Sequence, residues 1–297
     1  MKVAVLGLGK MGSRISLKLR YEGHEVIGWN RSEKVLEGID TTTDVKKLIE
    51  LLPSPRILWL MLPAGTPTQE TLDEISRNLE KGDIVIDGGN AHFRDTQKRY
   101  EEFKKTGIEF LGIGVSGGIL ASKNGYPLMV GGSKKAYEYI KPILDSLAKP
   151  SGGYEYFGEG GAGHFVKMVH NGIEYGIMQS LGEGFEVLEK SKYELDLLKV
   201  AKLWQKGTLV SGFMLDRTVD ALTQNPNLEG IKGYIEESGE ARWMVEEAKE
   251  MGVDIEIIER SLEYRRRSQT DQKIQNSITA KMIAALRNAF GGHEIKK

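Results

Sequence analysis

A chain of 297 residues, 40% apolar and 28% charged, has the material for a packed core and a solvated surface, about two domains by length, which sets disorder aside. Lys+Arg 41 against Asp+Glu 42 leaves a formal charge of -1, so nothing global points to nucleic acid or an anionic membrane, and any anionic ligand must be met by local charges. Cysteine is absent, which excludes disulfides, thiol nucleophiles and Cys-ligated metals; the longest apolar run, Ile57 to Leu62, is far too short to cross a bilayer, and MKVAVLGLG lacks a leader pattern, so a soluble cytoplasmic protein is expected.

In chain order, strands are predicted at Lys2 to Leu6, Glu25 to Trp29, Ile57 to Leu62, Ile84 to Ile86, Glu109 to Gly112 and Leu128 to Val130. Most are continuous apolar runs, the pattern of strands buried on both faces. Helical patterns at Gly12 to Glu22, Thr68 to Leu79 and Asp95 to Lys105 lie between them, so residues 1–160 read as an α/β, Rossmann-type doubly wound parallel sheet. The turn-rich stretches Lys149 to Gly153 and Gly158 to Gly163 break this rhythm. Helices follow at Ala162 to Ser191, Asp196 to Ser211, Met214 to Thr223, Gly239 to Met251, Asp254 to Tyr264 and Ser277 to Phe290, so residues 161–297 read as an all-α substrate and oligomerisation domain.

The segment Gly7-Leu8-Gly9-Lys10-Met11-Gly12 follows a strand and opens a helix. Its glycines allow a tight turn, close approach of a pyrophosphate and close helix packing, with the helix N-terminus facing the anion. At the end of the second strand, where an Asp or Glu would accept from an adenosine ribose, stand Asn30, Arg31 and Ser32. A guanidinium and a hydroxyl suit a 2′-phosphate, which favours NADP and leaves NAD open. Met61, Leu62 and Pro63, then Asp87-Gly88-Gly89-Asn90, then Ser116-Gly117-Gly118 fall at carboxyl ends of strands, the edge where open α/β sheets bind ligands.

The segment from Gly163 to Tyr175 carries Lys167, His170, Asn171 and Glu174 at i, i+3, i+4 and i+7, one polar stripe on a helix. Phe165, Val166, Met168, Val169, Ile173, Ile177 and Met178 make the rest of the circumference apolar, as in a buried helix whose stripe lines something wet or liganded; an internal ion pair is the competing reading. Among five histidines there is no HExxH or His-rich cluster, so no metal is expected.

Taken together, GLGKMG, NRS, MLPAG, DGGNAHFRDT, VSGG, GHFVKMVHNGIEYG and LRNAFGGH resemble the short decarboxylating form of 6-phosphogluconate dehydrogenase, from residue 1 to His293. The resemblance implies oxidative decarboxylation of 6-phospho-D-gluconate to D-ribulose 5-phosphate and CO2 in the pentose phosphate pathway, by a homodimer or homotetramer. It implies that Lys167 is base and then acid, and that Glu174 protonates C1 of the enediol. Asn90, Ser116, Gly117, Gly118, His170 and Asn171 match positions around the carboxylate and hydroxyls. Tyr175, Arg265 and Arg287 match those around the phosphate, Arg242 stands where long-form relatives have Lys, and His293 matches a tail group from a neighbouring subunit. A lysine serves as both base and acid only if burial or neighbours lower its pKa. Two alternatives stand beside this reading: a β-hydroxyacid dehydrogenase of the 3-hydroxyisobutyrate type, which has no need of Glu174 or DGGN, and a noncatalytic dinucleotide-binding module, which has no need of the stripe.

Overall fold

The computed structural model describes residues 1–296, and the chain divides into two compact units after Met168. The first contains β1 (Lys2–Leu6), α1 (Lys10–Tyr21), β2 (Glu25–Trp29), β3 (Asp40–Thr42), α2 (Val45–Glu50), β4 (Ile57–Leu60), α3 (Thr66–Ser76), β5 (Ile84–Asp87), α4 (Phe93–Thr106), β6 (Glu109–Val115), α5 (Ala121–Asn124), β7 (Pro127–Gly132), α6 (Lys134–Ala148) and β8 (Gly153–Gly158), and it takes in the first turns of α7 (Ala162–Glu189). The eight strands form one sheet in the order β3-β2-β1-β4-β5-β6-β7-β8.

Alternation along β1 explains the two layers of helices. Val3 and Val5 join Ile15 and Leu19 of α1 and Ile140, Ile143 and Leu144 of α6 in one core cluster. Ala4 and Leu6 join Leu48 of α2, Leu72 and Ile75 of α3 and Phe103 of α4 in the other. Successive side chains of a strand point to opposite faces, so a run with both faces covered is apolar throughout, as β1 is.

Strand order reverses between β1 and β4, since β2 and β3 extend the sheet to one side and β5 onward to the other. The pairs Leu6↔Leu60 and Leu60↔Asp87 are in register, so the segments after β1, β4 and β5 leave the sheet along one edge. That switch point is where a doubly wound sheet binds its ligand.

Several features correct the sequence reading. β4 ends at Leu60, so Met61 and Leu62 belong to the following loop. β3, α2, α6 and β8 add to the predicted elements, and β7 runs antiparallel to β6 in an otherwise parallel sheet. α6 forms around Pro142 because Ala136, Tyr137, Ile140, Ile143, Leu144 and Leu147 bury a stripe at helical spacing, which outweighs one interior proline.

The second unit takes the rest of α7 and adds α8 (Leu197–Trp204), α9 (Phe213–Gln224), α10 (Glu240–Met251), α11 (Glu256–Ser268), α12 (Gln272–Asn276) and α13 (Ile278–Gly291), with no strand among the described residues. Tyr175, Met178 and Phe185 of α7 pack with Leu215 and Leu222 of α9, Leu262 of α11, and Met282, Ile283 and Leu286 of α13. Asp196, Asp271 and Ser277 cap α8, α12 and α13 by accepting from backbone N–H groups. α8 stops at Trp204, seven residues before the predicted end, and Gly207 at φ +88 cannot continue a helix.

The expectation that α7 is apolar all round its buried circumference is overturned. Ile173 and Ile177 are 51% and 45% exposed, whereas Lys167 and Asn171 are both 8% exposed. Part of the polar stripe is the buried side, and part of the apolar surface faces solvent.

Candidate active site

In the sheet unit the glycine loop bridges β1 and α1. Gly7 N–H donates to Trp29 O at 2.8 Å, and a Cβ on Gly12 would lie 1.9 Å from the Gly7 carbonyl oxygen, so the helix starts that close to the strand only with glycine there. Gly9 differs: a Cβ there would meet no atom beyond its chain neighbours within 4 Å. Two glycines thus serve packing, and the third leaves the approach to the N-terminus of α1 open, as a pyrophosphate requires. Leu8 is 1% exposed and belongs to the core, so its contribution to a ligand is limited to backbone. Lys10 is exposed and Met11 packs against the core edge.

Asn30 supports the loop. Its Oδ1 accepts from Leu8 N–H at 3.1 Å, and its Nδ2 donates to Ser32 O at 3.0 Å and lies 3.3 Å from Ser32 Oγ. The side chain that reads in sequence as a neutral neighbour of a ribose therefore spends its hydrogen bonds on shaping the glycine loop and the NRS turn. Arg31 stands 73% exposed with a loose 3.5 Å pair to Glu70. Such surface pairs contribute about 0 to 1 kcal/mol, so the guanidinium can leave it for a better anion.

After β4 and β5, Met61 Sδ accepts from Trp59 Nε1, Pro63 O accepts from Thr68 Oγ1, and Gly89 N–H donates to Asp87 Oδ1 at 3.1 Å. The other Asp87 oxygen takes a 3.0 Å bond from Arg99 Nη1 in a pair whose side chains are 1% and 4% exposed, and Arg99 Nε donates to Gln69. This buried pair holds the DGGN turn, at whose end Asn90 is exposed. After β6, Ser116 N–H donates to Pro127 O, and Gly117 and Gly118 have φ +88 and +57, which turns the backbone where the motif predicts.

The first turns of α7 sit against β6 because of two glycines. A Cβ on Gly112 would lie 3.1 Å from His164 Nδ1, and one on Gly114 would lie 2.4 Å from Lys167 Cβ. Any larger residue at 114 would push Lys167 away. His164 Nδ1 lies 2.7 Å from Thr96 Oγ1, and burial holds this imidazole below its ordinary pKa, with Asp87 opposing. Sequence pattern does not mark Asp87, Arg99 or His164 as a group; Asp87 reads only as part of a turn, and nothing in the spacing joins it to Arg99.

In the helical unit His170 Nδ1 lies 3.0 Å from Asn171 Oδ1 and 3.9 Å from Glu174 Oε2, and Asn171 Nδ2 donates to Glu240 Oε1 at 2.9 Å. Tyr175 is 4% exposed, and its hydroxyl is buried without a hydrogen-bond partner among the described residues. The Arg265 guanidinium lies 3.2 Å from the centroid of the Tyr175 ring and is 2% exposed. Burial pushes Arg265 down to about 10, and the positive charge of Arg287 adds to that. Arg287, 8% exposed, is itself lowered by burial, with Tyr175, Glu236, Glu174 and Glu240 opposing. Neither guanidinium has a salt bridge to a carboxylate among the described residues. Two buried like charges without a bridging anion are costly in isolation, and an entering phosphate offers both of them charge-assisted bonds.

Arg242 is not part of that pair. It lies 3.7 Å from Glu237, is 46% exposed, and shares that carboxylate with Arg266 at 3.9 Å. His293 packs its ring edge to face against Phe290 at 6.2 Å, and its carbonyl accepts from Asn288 Nδ2. The tail after it returns to its own chain, where Lys296 O accepts from Lys232 N–H and Lys296 Nζ lies 3.5 Å from the Tyr234 ring centroid.

Residues 2–160 match the family model of the NAD binding domain of 6-phosphogluconate dehydrogenase, and residues 163–281 match that of its C-terminal domain. The chain belongs to the 6-phosphogluconate dehydrogenase family. Its reaction is accordingly that of the family, decarboxylating oxidation of 6-phosphogluconate with hydride transfer to a nicotinamide dinucleotide, and the match over both parts sets the hydroxyisobutyrate and noncatalytic alternatives aside. The YqeC protein of Bacillus subtilis is 41% identical over 302 residues, covering 100% of both chains. The NAD+-dependent decarboxylating 6-phosphogluconate dehydrogenase of Haloferax volcanii is 34% identical over 303 residues, covering 100% of this chain and 99% of that one. A structure of the Plasmodium falciparum 6-phosphogluconate dehydrogenase, studied with its cofactor NADP+ and with 6-phosphogluconate, superposes with a TM-score of 0.80 at 31% identity over 91% of this chain and 62% of that one. Among the described residues no helix is long and apolar enough to cross a membrane.

Proposed function

We propose that the chain performs this reaction with NADP in preference to NAD, in the cytoplasm, as a homodimer or homotetramer. Residues 1–160 hold the dinucleotide, and residues 161–297 hold the phosphate of the substrate. The observation that carries the sugar-phosphate half is the pair of buried guanidiniums, Arg265 and Arg287, beside the Tyr175 hydroxyl. Arg31, exposed and loosely paired, and Ser32 next to it support a 2′-phosphate. Relatives with each cofactor are known by name, so the residues rather than the resemblance carry this preference. Ile173, Ile177 and Val187, exposed along α7, support association with a second copy.

The residues present fit a dinucleotide: the loop Gly7 to Gly12 with Leu8, Lys10 and Met11 for the pyrophosphate, Asn30, Arg31 and Ser32 for the adenosine ribose, and Met61, Leu62, Pro63 and Asn90 along the same edge. When bound, the nicotinamide supplies the acceptor for the hydride of C3. Lys167 takes the proton of the C3 hydroxyl as that hydride leaves, giving a 3-keto acid. Lys167 then returns a proton to the keto oxygen as the C1 carboxylate departs as CO2, so electrons from the broken C–C bond settle in an enediol. Glu174 protonates the carbon that becomes C1 of ribulose 5-phosphate. Both groups lie on α7, seven residues apart, a spacing that puts them on one face of the helix. Asn90, Ser116, Gly117, Gly118, His170 and Asn171 hold the carboxylate and hydroxyls. Arg242 enters as a rim charge, and His293 reaches the sugar held by a neighbouring subunit. A steady-state assay with 6-phosphogluconate that reads NADPH and CO2 together tests the reading; equal release of the two supports it, and NADPH without CO2 contradicts it.

A further inference from the structure

Glu240 is the first residue of α10 and is 3% exposed, yet it belongs to none of the sequence motifs. A buried carboxyl is expensive unless its oxygens are used, and here Oε1 accepts from Asn171 Nδ2 at 2.9 Å while Oε2 is buried without a hydrogen-bond partner among the described residues. The positive end of α10 favours an acid at this place but does not explain why Oε1 is turned to Asn171.

That bond has a consequence for the next residue. A carboxylate only accepts, so it draws the NH2 side of the Asn171 amide toward itself and turns Oδ1 the other way. Oδ1 then lies 3.0 Å from His170 Nδ1. An amide oxygen also only accepts, so His170 Nδ1 must carry the hydrogen, and in the neutral ring Nε2 carries the lone pair. The Glu174 Oε2 atom, 3.9 Å from the same Nδ1, is a second acceptor on that side. We propose that Glu240 is a positioning residue: it locks the Asn171 amide and, through it, holds His170 in the Nδ1–H tautomer, presenting Nε2 as an acceptor for a substrate hydroxyl.

The final clause rests on the placement of His170 at the substrate hydroxyls, whereas the lock does not. The full-length protein labelled with 15N-histidine is followed by NMR without substrate, at mildly alkaline pH where the ring is neutral, and the five histidines are assigned with His170→Gln as the reference. The wild-type His170 ring is expected as Nδ1–H. Glu240→Gln keeps the shape but gives the amide a donor as well as an acceptor, so Asn171 can turn over, and the population of Nε2–H rises. Glu240→Leu removes the acceptor and shifts it further; the isosteric Gln variant suffices if Leu prevents folding. In parallel, KM for 6-phosphogluconate rises about tenfold in Glu240→Gln while KM for NADP stays within about twofold, a split that a loss of general stability does not produce. Wild-type His170 found as Nε2–H, or an Nδ1–H signal unmoved in Glu240→Gln, overturns the proposal whatever KM does. A switched tautomer with KM unmoved upholds the lock and instead removes His170 from substrate binding.

Discussion

The two units use charge in opposite ways. In the sheet unit the buried carboxylates are spent internally: Asp87 on Arg99, and Asp83 on Arg56 with a 3.0 Å bond to a side chain 18% exposed. The glycine turns there offer backbone N–H groups, and the cation beside them, Arg31, is exposed rather than buried. In the helical unit Arg265 and Arg287 are buried with no carboxylate in salt-bridge reach among the described residues, which on the proposed reading leaves their charge for the substrate phosphate. A backbone site tolerates substitution of its neighbours as long as its turns survive, whereas a charge site is lost with one side chain.

The severest loss is expected on α7. Lys167→Met, which removes the proton carrier for both early steps, is expected to lower kcat about 10³-fold or more with substrate binding retained. Glu174→Gln is expected to keep oxidation but slow solvent deuterium exchange at C1 of ribulose 5-phosphate; unchanged exchange removes Glu174 from that step.

Next comes a pair of variants that sets the two uses of charge against each other. Asp87→Asn leaves Arg99 buried without its carboxylate and should cost about 3 to 5 kcal/mol of folding stability by urea titration. Arg265→Met should leave stability unchanged or raise it, because it removes a buried charge that has no salt-bridge partner among the described residues, only the more distant pull of Glu174. Equal destabilisation by both would erase the distinction.

Much of this is legible in sequence because it is written in local pattern. The strands β1 and β2, the glycine loop, and the DGGN and SGG turns announce themselves by apolar runs followed by glycine, and the structure has them where the pattern puts them. β8 reads as turn because Gly152, Gly153 and Gly158 frame it and its exposure alternates, the mark of an edge strand rather than of a buried one. The Asp87–Arg99 pair and the Glu240–Asn171 bond escape because each joins residues 12 and 69 positions apart, and no periodicity encodes a tertiary contact. The α7 stripe is plain in the spacing, but which of its sides is buried depends on what packs there, and composition alone places Ile173 and Ile177 inward when they face solvent.

A smaller effect is carried by the two histidines held low by burial, His24 and His164. Their folded-state pKa lies below the ordinary 6.5, so the unfolded chain takes up protons first: stability is level above about pH 6.5 and falls below it, by up to about 1.4 kcal/mol per pH unit for each group. His164→Gln should flatten the fall between about pH 6.5 and 5 in urea titrations; an unchanged slope contradicts the buried neutral state.

The mildest change is expected at the exposed end of the cofactor site. Arg31→Ala should raise KM for NADP severalfold and leave KM for NAD nearly unchanged, since only the 2′-phosphate loses a partner. Equal changes, or a wild-type preference for NAD, contradict the NADP reading.

If the buried guanidinium pair is held for the substrate phosphate, the decisive comparison is of kcat/KM with 6-phosphogluconate and with gluconate, in the wild type and in Arg265→Met. One charge-assisted contact contributes about 1.5 to 3 kcal/mol, so the wild-type preference for the phosphorylated substrate should shrink by about tenfold or more in the variant, mostly through weaker binding of that substrate. A preference that survives intact in a folded Arg265→Met protein would show that the phosphate is held elsewhere.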